Sequence, residues 1–408
     1  MLKIVLYTNS FPFGDQETFL EEEIKYLSAS YEQVIIFPLK IKGKGDRKSE
    51  LPPNCVVLEP LFNPDLKSFV KYNPIFTFKV LMKSLYKYIF RNEGGVKNIF
   101  FAESVRLRLI SGKQLKYLMK CENIQVHYFY WSFGLIFGID VINKFIPGAR
   151  IVNRFHGFDL YEERSSGKLP YRKEIYNLSN LLIFISEQGR NYFLDKNPSY
   201  KNKTTVSYLG VRNRLTTKLD CEFEENIELH FLSCSNVISL KRVNDIFSII
   251  NQYAGTHDYK IKWTHIGDGP DFNNLKNLVK NKVENLTVEL LGRVRNSEIQ
   301  RIYEAIECKK VFMNLSTSEG LPVSIMEACR SNIPVIATNV GGTCEIVDRE
   351  YCGVLVNKFY SQDEILKAID LIFDNYDNYT PREVWKKKFD ANTNYKELIQ
   401  KLECINIR

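Results

Sequence analysis

Apolar and polar positions along the chain repeat one unit: a short β-branched or aromatic run, a polar or glycine-bearing loop, then apolar residues at helical spacing. Runs at 2–7, 33–38, 55–58, 124–130, 150–155, 181–185 and 205–208 predict strands. Helices are expected at 16–28, within PIFTFKVLMKSLYKYIFR, up to Phe145, at 172–179, and after Ser186, which suits an N-cap. Between 212 and 226 the apolar pattern fades and charges rise, which marks a linker. A second series follows: strands at 229–234, 260–266, 287–291, 311–315, 333–337 and 353–356, alternating with helices at 243–254, 272–280, 296–306 and 321–330. A turn through Gly341–Gly342 leads into a further helix. Helices near 362–373, 382–390 and 393–403 close the chain. Strand–helix alternation of this kind makes parallel sheets with crossover helices. The expected fold class is therefore α/β: two doubly wound Rossmann-like domains facing across a cleft. They are placed at 1–211 and 227–391, with the C-terminal helix, 392–408, packing back onto the first.

Length agrees, since 408 residues exceed one ordinary core. Apolar content of 44% and charged content of 25% suit a globular protein rather than a disordered or fibrous one. Nine cysteines without a C-x-x-C pair read as reduced, mostly buried thiols of a cytoplasmic protein. The opening MLKIVLYTNSFPFG reads as a first strand and loop, not as a signal peptide. No run approaches the roughly 18 apolar residues of a spanning helix.

The net charge of +8 is uneven: residues 67–120 hold twelve Lys or Arg against two acids, a local +10. Within that region Lys79, Lys83, Lys87 and Arg91 fall at steps of four, one cationic stripe beside a broad apolar face. Two readings stay open. The helix lies against an anionic bilayer or a lipid-linked acceptor, which makes the protein peripheral on the inner face of the membrane. Alternatively, it is half buried with a solvated basic edge. No nucleic-acid motif accompanies the stripe.

Candidate chemistry sits where strands end, because ligands of open α/β sheets bind at the carboxyl ends of strands. Glu319 and Glu327 lie eight positions apart, one in the loop after 311–315 and one on the helix after it. Pro322 suits a helix start, which leaves the amides of Val323 and Ser324 to face an anion. A carboxylate can accept both hydroxyls of a ribose diol, and Glu327 is costly on a helix that is otherwise apolar and small. In IGDGP, Gly267 and Gly269 allow close backbone approach to a ligand, a weak signal by itself. Lys241 and Arg242 could counter a pyrophosphate. Gly14 and the helix after it could receive a phosphate or a sugar hydroxyl, or form an ordinary turn. His156 follows a strand and precedes a glycine. The sequence shows no metal-ligand spacing, no Walker loop and no nucleophile elbow.

With EGLPVSIMEA, PVIATNVGGTCEIV, IGDGP, LGRV and HGFD in this order, the chain resembles the retaining glycosyltransferases of family 4, which have the GT-B fold. The resemblance implies a hexosyltransferase that takes a nucleotide-sugar donor, UDP- or GDP-linked, needs neither cofactor nor metal, and builds surface polysaccharide on a glycan or lipid-linked acceptor. It implies that Glu327 grips the ribose, Glu319 contacts the donor sugar and Lys241 binds pyrophosphate. Gly267, Asp268 and Gly269 match a donor loop, Arg293 and Val294 lie beside the base, and Gly320, Leu321, Pro322, Val323 and Ser324 carry the donor-facing helix start. His156 reaches the donor sugar, and Gly14 lies near phosphates and acceptor. Many members carry an arginine where this chain has Ser235 or Asn236, so Arg242 or Arg293 substitutes, or fewer cations hold the pyrophosphate. Other GT-B activities, a phosphorylase or an epimerase, and a non-catalytic nucleotide-sugar-binding subunit are the alternatives.

Overall fold

The computed structural model describes residues 2–14, 17–42, 46–63, 66–91, 95–164, 169–213 and 226–405. Most of the expected linker, 214–225, lies outside them. The chain divides into two compact units, Met1–Tyr208 with Asn394–Arg408, and Leu209–Thr393.

Unit one runs β1 (Lys3–Thr8), α1 (Leu20–Ser30), β2 (Gln33–Pro38), β3 (Cys55–Val57), α2 (Leu66–Tyr72), α3 (Pro74–Arg91), α4 (Val96–Ser111), α5 (Lys113–Lys120), β4 (Ile124–Phe129), α6 (Ile139–Phe145), β5 (Ile151–Phe155), α7 (Arg172–Leu178), β6 (Leu181–Phe184), α8 (Glu187–Lys196) and β7 (Thr204–Val206). Its seven strands are ordered β3-β2-β1-β4-β5-β6-β7, and every pair is parallel. Central strands are covered on both faces and so carry nearly continuous apolar runs, such as the buried Ile4, Val5 and Leu6. The order reverses between β1 and β4, a topological switch point that leaves a crevice at the carboxyl ends of these two strands.

Unit two runs β8 (Ile227–Cys234), α9 (Val243–Ala254), β9 (Lys260–Ile266), α10 (Phe272–Leu278), β10 (Leu286–Gly292), α11 (Asn296–Ala305), β11 (Lys309–Asn314), α12 (Val323–Arg330), β12 (Val335–Thr338), α13 (Thr343–Ile346), β13 (Gly353–Val356), α14 (Gln362–Asp374) and α15 (Pro381–Lys388). Its sheet is β10-β9-β8-β11-β12-β13, again all parallel, with the switch point between β8 and β11. The last helix, α16 (Ala391–Glu403), carries the chain into unit one, where Tyr395 packs on Tyr26 with ring centroids 5.3 Å apart.

Three expectations change. The first helix starts at Leu20, not near residue 16, because Glu17 takes a left-handed backbone (φ 59°) and turns its side chain back into the preceding loop. In the basic region the described residues form four helices, and the stripe on α3 is split, with Lys79 and Lys83 exposed. Lys87 is half buried, donating to Glu103 (2.9 Å) and to the Tyr171 hydroxyl (3.0 Å). Ile75, Phe78, Met82, Tyr86 and Ile89 are exposed as well, and among the described side chains of this helix only Val80 and Ser84 are buried. Arg91's side chain is outside the described set. Finally, of eight described cysteines, all free, two are buried and two exposed, so the thiols are less uniformly buried than expected.

Candidate functional site

In unit two, Lys241 and Glu319 come from the two loops that flank the switch point. The β8 loop carries Lys241 in a 3-10 turn, Ser239–Lys241. The β11 loop is seated on it, since Thr317 donates its amide to the Leu240 carbonyl (2.9 Å). Lys241 Nζ then donates to Glu319 Oε1 at 2.5 Å. Asn314, the polar end of β11, lies beneath, with Nδ2 3.4 Å from the same Glu319 oxygen and Oδ1 accepting from the Ser316 hydroxyl at 2.6 Å. The Thr338 hydroxyl donates to the Ser316 carbonyl at 2.5 Å. Neither Asn314 nor Thr338 was among the candidates. The available signal was a polar residue closing an otherwise apolar run.

The Gly341–Gly342 turn has a structural purpose. Gly341 has φ 54°, and a Cβ there would stand 1.8 Å from the Glu319 carbonyl oxygen. Gly342 donates its amide to Gly320 (2.7 Å), so the turn clamps the Glu319 loop. The glycines of IGDGP are likewise spent on backbone packing. A Cβ on Gly267 would meet the Ser235 oxygen at 1.8 Å, and one on Gly269 the Val237 oxygen at 2.4 Å. The close approach expected of a ligand is made here by the β8 loop. Asp268 turns its carboxylate to the Gly269 amide (2.7 Å).

Pro322 sits at the N-cap of α12 rather than inside it, and the helix begins at Val323 and Ser324. The first amides of a helix have no intrahelical acceptor. Leu321 and Pro322 are buried and Gly320 is half buried, so this start is firmly seated. Glu327, only 5% exposed, lies on the same helix. Burial pushes the Cys234 thiol up to about 12, and the neighbouring Glu327 charge adds to it. Arg242, in a left-handed conformation, donates to the Lys358 carbonyl (2.8 Å) and lies over the Tyr360 ring. Arg293 is exposed and Val294 half buried, just past the end of β10. The structure thus brings Lys241 and Glu319 into contact, puts Glu327 on the next helix, and engages Arg242 with the 358–360 segment.

In unit one, His156 follows β5 and is 5% exposed. Its ring packs against Trp131 (centroids 4.3 Å) and Tyr130 (4.8 Å), and neither nitrogen has a hydrogen-bond partner among the described residues. Burial, then the Arg154 charge, hold its pKa well below the usual histidine value, so the imidazole is neutral. Asp159 of HGFD is fully buried and ties two loops together, accepting the amides of His156 and Ser132 at 2.6 Å each. Burial pushes its carboxyl up to about 6, against the pull of those amides and of Arg172. Gly14 is buried at φ 72°. The amides before it are already occupied, because Asn9, Ser10 and Phe11 all donate to Glu17.

Residues 224–389 match the family model Glycosyl transferases group 1. The O-antigen biosynthesis glycosyltransferase WbnH of Escherichia coli is 35% identical over 115 residues, 28% of this chain and 30% of that protein. An uncharacterized glycosyltransferase of Methanocaldococcus jannaschii is 30% identical over 251 residues, 58% of this chain and 66% of its own. The chain thus matches less than a third of the length of the O-antigen relative. Among solved structures, Anabaena Alr3699/HepE in complex with UDP-glucose superposes with a TM-score of 0.66 at 16% identity, covering 99% of this chain and 100% of its own. The lipopolysaccharide outer core galactosyltransferase WaaB gives 0.65 at 14% identity, covering 98% and 99%. At such identities the likeness is one of fold, and the fold is GT-B.

Proposed function

From a chain whose residues 224–389 match the family model Glycosyl transferases group 1, we propose a retaining hexosyltransferase that uses a nucleotide-sugar donor in surface polysaccharide biosynthesis. The observation that carries this reading is the Lys241–Glu319 pair across the β8/β11 switch point, with Glu327 on the helix that follows. A cation, a helix start and two carboxylates at one strand edge suit a diphosphate esterified to two polyols. Lys241 and the first amides of α12 would take the diphosphate, Glu327 the ribose and Glu319 the transferred sugar. In unit one, His156, held neutral, would serve a bound substrate as an uncharged hydrogen-bonding group.

In the reaction, the acceptor hydroxyl oxygen bonds to the anomeric carbon on the face from which the nucleoside diphosphate leaves. The bond from that carbon to the phosphate oxygen breaks, and the departing phosphate takes the hydroxyl proton. Catalysis then rests on positioning and on countering the charge of the leaving diphosphate. Relatives named for O-antigen synthesis, and a structural neighbour solved with UDP-glucose, support the polysaccharide and nucleotide-sugar parts.

The acceptor is proposed to be lipid-linked, met at an anionic bilayer through α3. Ile75, Phe78 and Ile89 are 73, 64 and 66% exposed, beside the exposed Lys79 and Lys83. So many outward apolar side chains on one helix mark a contact surface, and the lysines fit an anionic one. No helix among the described residues is long and apolar enough to cross a membrane.

The enzyme reading is tested by measuring nucleoside diphosphate release from a panel of UDP- and GDP-sugars with a cell-extract acceptor, with and without EDTA. Release from at least one sugar, unaffected by EDTA, is expected; no release from any would overturn it. Liposome flotation tests the surface: Lys79→Glu with Lys83→Glu should abolish binding to phosphatidylglycerol vesicles. Indifference to vesicle charge would refute the contact.

A further inference from the structure

Glu17 appears in none of the assignments above, yet it makes the densest set of polar contacts at the β1/β4 switch point. Its side chain is 7% exposed. Oε2 accepts the amides of Ser10 (2.6 Å) and Phe11 (2.7 Å) and the Ser10 hydroxyl (3.1 Å). Oε1 accepts the Asn9 amide (3.0 Å) and Trp131 Nε1 (2.6 Å). Asn9, Ser10 and Phe11 form the β1 loop that leads to Gly14, and Trp131 belongs to the β4 loop. The two loops on either side of the switch point are therefore joined by one carboxylate. The same Trp131 ring packs on His156, which stands at the end of β5.

A left-handed backbone on a non-glycine residue costs energy and persists only where the surroundings compensate it. At Glu17 five donors do so, and charge-assisted hydrogen bonds are the stronger kind. Three consecutive loop amides converging on one point would by themselves invite an external anion. Here that anion is built into the chain.

We propose that Glu17 is a positioning residue for the transfer reaction: it locks the Gly14 loop to Trp131 and, through the Trp131 ring, sets His156. A corollary is that the amides of residues 9–11 do not hold the donor or acceptor phosphate. The functional half of this inference rests on the transferase reading; the structural half does not. Gln is the telling substitution, because its amide group would direct hydrogens at donors that already point there. The isosteric change therefore breaks the arrangement while keeping the volume.

The test uses the full chain labelled with 5-fluorotryptophan, whose three resonances, from Trp131, Trp263 and Trp385, are assigned by removing one with Trp131→Phe. Glu17→Gln should shift the Trp131 resonance alone. Trp263 and Trp385, both in unit two, should not move, and an unchanged thermal midpoint of the full chain shows that unit one still folds. With whichever nucleotide sugar the panel identifies, turnover should fall on the order of tenfold or more, as misplacement near the chemistry does. The Kd for the nucleotide should hold. Adding Glu17→Gln to Trp131→Phe should cost little further, since residues acting through one another are not additive. A Trp131 resonance unmoved by Glu17→Gln, or independent multiplicative losses in the double variant, would overturn the proposal. If no sugar turns over, the transferase reading fails and the fluorine spectrum alone decides the positioning claim. If Glu17→Gln does not fold, Glu17→Asp, one methylene shorter, is held to the same outcomes.

Discussion

Replacing Glu319 by Gln should make the protein bind a bare nucleoside diphosphate more tightly while it transfers sugar more slowly. The reason is competition for Lys241, whose Nζ donates to Glu319 Oε1 at 2.5 Å. A diphosphate that uses Lys241 must first take it from this carboxylate. At about 3 Å and an effective dielectric of about 20, the gross attraction is ~5 kcal/mol. The side chains are 22 and 10% exposed, so both have given up hydration that offsets much of it. A hydrogen bond to a charged group nets about 1.5–3 kcal/mol. Releasing that competition corresponds to roughly 10- to 100-fold in Kd. Glutamine keeps the shape, so the loop clamped by Gly341 and Thr317 should stay in place. Calorimetric titration of wild type and Glu319→Gln with UDP and GDP reads the effect directly. A UDP-sugar, which loses its Glu319 contact in the variant, should gain less than UDP does. If neither diphosphate binds Glu319→Gln more tightly than wild type, the assignment of Lys241 to the diphosphate is wrong.

Gly341→Ala should cost at least about 2 kcal/mol of unit-two stability, because an ordinary side chain is strained at positive φ and here also strikes the Glu319 carbonyl; urea denaturation reads it. Glu23→Ala should cost about 3–5 kcal/mol in unit one by leaving Arg154 buried without its 2.7 Å partner, and pairing it with Arg154→Met should recover most of the loss. Acid should destabilise the protein below pH 6.5. Burial holds His127 and His265 down to about 4, His230 to about 3, and His156 well below its usual value. The unfolded chain protonates each of these near 6.5 while the folded one does not, so each removes about 1.4 kcal/mol per pH unit as pH falls from about 6.5 towards 4. Asp159, raised to about 6, works in the opposite direction over about 6 to 3.9, and four histidines outweigh it. The thermal midpoint should be flat from pH 8 to 7 and then drop steeply.

Strand positions were legible because a strand covered on both faces must be apolar throughout. The expected runs at 33–38 and 353–356 coincide with β2 and β13, and the one at 260–266, where polar and apolar residues alternate instead, coincides with β9. Helix α9 was legible for a related reason, with its buried positions at helical spacing. The start of α1 was not, because three acids in a first turn look like ordinary macrodipole complements. In the structure Glu23 is fully buried against Arg154 and Tyr128, and Glu17 belongs to the loop. The candidates Glu319, Glu327 and Lys241 could be named from their motifs. The Lys241–Glu319 contact could not, since 78 positions separate the two and only the β8–β11 pairing brings them together. The glycines were legible as turns, but their purpose was not: a sequence shows room for close approach without showing what approaches. For α3 the pattern gave the amphipathic split but left open which face is covered, and in the structure much of the apolar face is exposed together with Lys79 and Lys83, while Lys87 turns in to Glu103.

The central claim is that the carboxyl edge of the unit-two sheet holds a nucleotide sugar with Glu327 on its ribose. Calorimetric titration of the full chain with a panel of UDP- and GDP-sugars, on wild type and Glu327→Ala side by side, addresses it most directly. The account predicts one-to-one binding of at least one nucleotide sugar and a loss of about tenfold or more in Glu327→Ala, the cost of a lost charge-assisted hydrogen bond. Equal affinity of the two proteins for that nucleotide sugar, or binding of none by wild type, would contradict it.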